Sequence, residues 1–149
     1  MKKYTLSDFV KSTDPDYDDL YEGKIAFGEG EISVRIQLDG CEVSDVEAFM
    51  NAFFADTEKF VQKAKDRITQ KYLSAYNNNW RFGDDDEDDP TKPELTAEAF
   101  SKNLTANCIS FLGNADVEVF FDDNDMFLGH SLMASDFDGE AFHYAEMFG

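Results

Sequence analysis

The spacing of hydrophobic positions changes along this chain, and its first regular stretch predicts a β-hairpin. Apolar side chains occupy every second position of residues 31–38, which is the period of a strand with one buried and one solvated face. Residues 21–27 precede this segment across a turn that runs from Gly28 to Gly30. The two segments therefore predict a pair of antiparallel strands.

A helical period begins at Ser44. Hydrophobic side chains then recur every three or four residues as far as Tyr72, which predicts one long helix or two consecutive helices with a break near Ala55. Ser44 and Glu47 fit a capping box that would start the helix. Further along, residues 96–104 predict a short capped helix.

The last third of the chain returns to the period of strands. Residues 108–112 predict one strand, and alternating apolar positions in residues 117–121 predict the next. Turn-forming side chains at Asp122 to Asp125 then predict a hairpin, because their oxygens can bond their own backbone. The partner strand is predicted at residues 128–132, with His130 inside it.

Together these elements predict a single α+β domain over residues 1–149. We expect an antiparallel sheet of about five strands, with the long helix, intact or broken, and the short helix packed on one face. The aromatic tail from Asp136 should dock on the sheet and close the domain. Residues 1–20 are predicted as an irregular lead-in and residues 83–93 as a mobile acidic loop, since consecutive like charges repel one another and resist burial.

The net charge of the chain limits the classes of molecule that we expect as its partner. The chain carries 32 acidic residues against 13 Lys and Arg, a formal net charge of −19. That field repels nucleic acids and anionic membranes, so we expect neither as a partner and favour a cationic protein, although an acidic surface also serves plain solubility. No apolar leader or membrane-length run occurs, and the two cysteines lack metal-ligand spacing, so a cytoplasmic protein with reduced thiols is expected.

Two acidic segments are the candidate contact surface for such a partner. Their members are Asp84, Asp85, Asp86, Glu87, Asp88, Asp89, Asp122, Asp123 and Asp125. Acidic patches would steer a basic toxin or another cationic protein to the surface, and exposed aromatic side chains would supply affinity. The alternative function is a divalent-cation site, calcium in particular, built from the same carboxylates. We expect no bound metal, because a metal site needs ligands that are fixed in space.

One stretch of the predicted helix is basic. Between Thr57 and Lys71 there are five Lys or Arg residues and two acids, which gives a local charge of +3. We expect this face to pair with acidic loops of the same chain, because an intramolecular partner costs less ordering entropy than a recruited one.

Catalytic motifs are absent from the sequence. It contains no nucleophile elbow, zinc-protease histidine pair or phosphate-binding glycine loop, and we expect neither a catalytic site nor a cofactor. His130 is predicted as a buried, hydrogen-bonded imidazole, and structural roles are predicted for Trp80, Phe127, Gly129 and Ser131 as well. An enzyme that uses His130 with Ser131 is the third hypothesis, after the two binding functions.

Several short segments occur in an order that resembles one bacterial family. Tyr21-Glu22-Gly23 lies in the first hairpin, and Asn78-Asn79-Trp80 ends the long helix. The helix with Phe100 and then Ile109-Ser110-Phe111 follow. The run Asp125-Met126-Phe127-Leu128-Gly129-His130-Ser131 resembles the aspartate-leucine-phenylalanine-tryptophan-glycine-histidine-serine run of the bacterial domain-of-unknown-function family twenty-two sixty-two, with leucine in place of the tryptophan.

The resemblance extends from Tyr21 to Gly149. It implies no enzymatic activity, because none is attached to that family. Small acidic domains of this kind resemble the immunity proteins encoded beside secreted toxins. By analogy, the resemblance therefore implies an immunity protein that neutralises a basic toxin such as a nuclease.

Overall fold

The computed structural model describes residues 3–83 and 91–149, and within these ranges the chain forms seven strands and three α-helices. The elements in chain order are β1 (Val10–Lys11), β2 (Leu20–Phe27), β3 (Gly30–Gln37), α1 (Val43–Phe54), α2 (Thr57–Asn78), α3 (Ala97–Lys102), β4 (Thr105–Leu112), β5 (Asp116–Asp122), β6 (Ser131–Phe137) and β7 (Phe142–Phe148). Short 3₁₀ turns lie at Leu6–Asp8 and Trp80–Phe82.

The strands described form one sheet whose spatial order follows the chain. Neighbouring strands are antiparallel except β3 and β4, which are parallel because the three helices cross over between them. The prediction of an α+β domain is confirmed, whereas a fully antiparallel sheet of about five strands is wrong for the described residues. The lead-in contributes β1, and the aromatic tail pairs with β6 as β7.

Both predicted helical regions are confirmed, including the break near Ala55. The helices bury their apolar stripes, with Met50 of α1 and Ile68 of α2 fully buried, against one face of the sheet. Thr96 caps α3 through its hydroxyl, which accepts a hydrogen bond from the Ala99 N–H at 3.2 Å. In the described residues, no helix combines the length and apolar character that a membrane span requires.

The capping box predicted at Ser44 is wrong. Helix α1 begins at Val43 after Glu42, whose side chain makes no capping hydrogen bond. The Glu47 carboxylate instead accepts a hydrogen bond from the Leu6 N–H at 2.6 Å, which ties the lead-in to the helix layer. A tertiary hydrogen bond between Glu47 and Leu6 has therefore replaced the local capping hydrogen bond that was predicted.

Candidate functional site

The connection between β5 and β6 is a tight loop, and we call residues 122–130 the motif loop. Four of its residues have positive φ, namely Asn124 at 50°, Asp125 at 65°, Leu128 at 59° and Gly129 at 86°. Left-handed conformations interrupt an extended chain, so the strand predicted at residues 128–132 begins only at Ser131. His130 consequently lies in the loop, and its predicted place inside a strand is wrong.

The carboxylate of Asp123 organises the motif loop. It is 1% exposed and accepts hydrogen bonds from three backbone N–H groups. The donors are Asp125 at 3.0 Å, Phe127 at 2.8 Å and Gly129 at 3.1 Å. Such a carboxylate replaces water for donors that the loop would otherwise leave unpaired. Asp123 therefore cannot contact a partner, and its expected contact role must be withdrawn, while Asp122 and Asp125 are exposed.

Phe127 anchors the motif loop in the aromatic core. Its ring is fully buried and makes edge-to-face contacts at centroid distances of 5.4 to 6.0 Å. The contacted rings are those of Tyr72, Tyr76, Trp80 and Phe100. These residues come from α2, the following 3₁₀ turn and α3, so the ring joins the loop to the helix layer.

The predicted structural residues of the motif meet at this loop. The Trp80 ring packs against His130 at 5.4 Å, and His130 Nδ1 hydrogen-bonds the Phe127 carbonyl oxygen. Ser131 opens β6 in register with Asp122 and is exposed. Trp80, Phe127 and His130 thus pack together, and the hydrogen bond between His130 Nδ1 and the Phe127 carbonyl oxygen helps to hold the loop.

A second candidate surface lies on the opposite side of the sheet from the helices, and we call it the uncovered face. Strand register places the following residues on it: Lys24, Ser33, Arg35, Cys108, Ser110, Glu118, Phe120, Met133, Ser135, Tyr144, Glu146 and Phe148. They alternate with the residues that face the helices, such as Val34, Ile109 and Val119. Three members of the face are themselves buried, namely Ser110, Met133 and Ser135. No described helix packs on this face.

Acidic and aromatic side chains adjoin on the uncovered face. Phe120 and Phe148 have ring centroids 6.2 Å apart, and Met133 lies directly beside Phe120 across the strand pair. Glu146 is the cross-strand neighbour of Met133. Phe148 is 38% exposed, so an apolar cluster reaches solvent beside carboxylates.

Glu118 lies at the centre of the uncovered face. Burial raises the pKa of its carboxyl group, and the nearby carboxylates of Asp116 and Glu146 raise it further, while Arg35 opposes the shift. Arg35 itself is 3.9 Å from Glu22 and lies under the ring of Tyr17 at 5.6 Å. Around Glu118, the two carboxylates of Asp116 and Glu146 therefore stand against the guanidinium of Arg35.

Other predicted features fall elsewhere. Residues 84–89 lie outside the described residues. In the two described ranges no group of three or more His, Cys, Asp or Glu side chains is arranged to hold a metal ion. The ion pairs found in residues 3–83 and 91–149 all lie outside Thr57–Lys71, and the pairing expected for the basic stretch stays a prediction, because the acidic segment 84–89 lies outside the described residues. Lys71 instead donates to the Ala145 carbonyl oxygen at 2.6 Å, on strand β7.

The uncovered face was not predicted from the sequence. Its signal is weak, because Phe120 occupies a position where the alternation of β5 would place a polar residue. Cross-strand neighbours such as Met133 and Glu146 become visible only when the strands are in register.

Comparison with known proteins gives one match. A family model described as an uncharacterized protein conserved in bacteria, DUF2262, matches residues 12–147. Neither the curated proteins nor the solved structures contain a match.

Proposed function

We propose that this chain, which belongs to the bacterial family DUF2262, binds a basic protein through its uncovered face. The role that fits this chemistry best is that of an immunity protein that neutralises a basic toxin. Two free thiols, Cys41 and Cys108, support a cytoplasmic location, because disulfides are rare in that compartment.

The observation that carries the proposal is the environment of Glu118. Burial raises the pKa of this carboxyl group, and the carboxylates of Asp116 and Glu146 raise it further, so the folded chain disfavours its charge although Arg35 opposes the shift. A Lys or Arg side chain supplied by a partner would relieve that repulsion. Binding would therefore gain electrostatic free energy at a position where the free protein is strained.

The neighbouring aromatic cluster supplies the apolar part of the contact. Phe120 and the exposed Phe148 form a compact patch bordered by Glu118 and Glu146, and the buried Met133 lies beside Phe120. Interfaces commonly place aromatic residues and Met at their centre with polar groups around them. This arrangement supports a protein partner over a free small cation.

The net charge of −19 supports the same class of partner. A field of that size attracts a cationic protein over distances of about 10 Å at moderate salt, and the association rate then falls as salt rises. The side chains of the uncovered face and the net charge of the chain thus both favour a cationic protein as the ligand.

The test is capture of the partner followed by affinity measurement with matched variants. The protein is immobilised, proteins of the source cell are passed over it, and the dissociation constant of each captured protein is measured. Glu118→Gln with Glu146→Gln removes two charges from the uncovered face. Glu58→Gln with Glu94→Gln removes two exposed charges from the helix side of the molecule.

We expect a captured protein of net positive charge whose affinity falls about tenfold or more with the uncovered-face pair, and within about twofold with the helix-side pair. Association should also slow as salt is raised. If both pairs of substitutions lowered the affinity equally, the interaction would be a general attraction between charges, and the uncovered face would not be the binding surface.

A further inference from the structure

Helix α2 carries a basic stripe on the other side of the molecule. Lys59, Lys63, Arg67 and Lys71 follow one another at four-residue spacing, which aligns them along one side of the helix. Among the described residues no carboxylate lies within 4.0 Å of any of them. Lys71 donates to the Ala145 carbonyl oxygen, whereas Lys63 and Arg67 border a groove between α2 and the start of β7.

The guanidinium group of Arg67 has one N–H without a hydrogen-bond partner among the described residues. Its Nη1 donates to Gln70 Oε1 at 3.2 Å, but its Nε is shielded from solvent and has no hydrogen-bond partner in the described structure. Buried donors are nearly always paired, so an orphaned guanidinium N–H marks a place where an acceptor belongs. A small rotation of the side chain would present Nε and Nη2 together as the planar fork that binds carboxylates.

A groove of about 280 Å³ adjoins this arginine between α2 and the start of β7. Lys63 and Arg67 line one wall, and Phe142 and Ala141 line the other. Asp66 also lines the groove, with its carboxylate accepting a hydrogen bond from the Gln62 amide at 3.0 Å. Gln70 and His143 complete the lining, and His143 Nε2 is 2.6 Å from Asp138 Oδ2.

We propose that this groove binds a small organic carboxylate. The charged side chains that line the groove, Lys63 and Arg67 against Asp66, leave a single net positive charge, and the nearby Asp138 carboxylate is bonded to His143, so the groove matches a monoanion better than a phosphate dianion. The guanidinium fork fits the two oxygens of a carboxylate, and Phe142 with Ala141 accepts its apolar body. This site lies apart from the uncovered face and does not depend on the function proposed for it.

The probe is benzoate, titrated at constant ionic strength while the Arg67 Nε–H and the surrounding amides are followed by NMR. We expect saturable shifts centred on Lys63, Arg67 and His143, with a dissociation constant below about 1 mM. Benzamide, which has the same shape without the charge, should produce none. N-acetylphenylalanine tests whether the carboxylate of the ligand comes from a peptide C-terminus or from a free acid. Binding tighter than that of benzoate would identify a peptide C-terminus, and weaker binding would identify a free acid.

Three variants separate the groove from general charge attraction. Arg67→Lys keeps the charge and loses the fork, so it should weaken benzoate binding about tenfold or more. Lys63→Gln should weaken it by a similar factor, whereas Lys59→Gln, one turn further along the same stripe, should leave it within about twofold. Shifts that fail to saturate, or binding that Arg67→Lys leaves unchanged, would overturn the proposal.

Discussion

Two carboxylates only five positions apart are treated in opposite ways by this fold. Asp123, in the motif loop, is buried and accepts three backbone hydrogen bonds. Glu118, on the uncovered face, is crowded by Asp116 and Glu146, and its pKa is raised. The first acid is satisfied inside the molecule, and the second is partly buried beside two carboxylates with Arg35 as the cation that opposes them.

The two carboxylates differ in the way that separates a side chain that stabilises the fold from one that is suited to bind a partner. A carboxylate whose oxygens are all used by its own backbone has nothing left to offer a ligand. One that is half-buried among like charges gains from any cation that reaches it. Asp123 and Phe127 of the most distinctive sequence run hold their own loop, and the surface that we propose for a partner uses residues with no motif.

The largest effect is expected from Asp123→Ala. This change leaves three backbone donors of the motif loop unpaired, and the free energy of unfolding should fall by about 2 to 4 kcal/mol. Urea denaturation measures the loss. Asp122→Ala, an exposed neighbour, is the control and should change stability by about 1 kcal/mol or less. Equal losses in the two variants would remove the special role of Asp123.

A smaller effect is expected from Gly129→Ala. The backbone there has φ of +86°, with nothing within 4 Å of an added Cβ, so the cost is conformational and should be about 1 to 2 kcal/mol. Gly30→Ala is the matched control, because its surroundings are equally open and its φ is not positive. Thermal unfolding of both variants should show destabilisation in the first alone.

The smallest and opposite effect is expected from Glu118→Gln. Because the folded-state pKa of Glu118 is raised, the folded chain holds this proton more tightly than the unfolded chain, and stability falls as pH rises from 4.5 through the folded pKa. The variant should therefore be more stable than the parent at pH 7, by less than about 1 kcal/mol after solvent screening.

That gain should disappear below the ordinary glutamate pKa of 4.5, where the parent residue is also neutral. Melting temperatures across this range give the measurement. Glu94→Gln, exposed on the helix side, supplies a control with no such pH dependence. A variant that is destabilised at pH 7 would mean that Glu118 is already well balanced, and the contrast with Asp123 would be lost.

Local patterns in the sequence were enough to predict most elements of the fold. Strict alternation located β3 and β5, and the three- to four-residue period located both long helices. Contacts between residues that are far apart in the sequence account for the predictions that were wrong. The Glu47 side chain bonds Leu6 rather than a helix cap, and Leu128 adopts a left-handed conformation that no local signal predicts for a leucine.

The candidate site was harder to predict than the fold. Aspartates and glutamates are so frequent that their positions along the chain do not separate Asp123, which is buried, from Glu118, which is crowded. The uncovered face depends on the pairing of strands β2 to β7, and Phe120 and Phe148 meet there although 28 residues separate them in the sequence. Long-range register of this kind cannot be obtained from local periodicity.

The central claim is that the uncovered face is where a basic partner binds, and methionine methyl NMR tests it most directly. Met133 lies on that face directly beside Phe120 and is 3% exposed, so its methyl signal reports changes in the packing of the neighbouring rings, whereas Met50 of α1 is fully buried in the core on the helix side. With a captured basic protein added to saturation, the account predicts a large shift or broadening of the Met133 methyl signal and little change at Met50. A Met133 signal that stays unchanged when the partner is bound would contradict it.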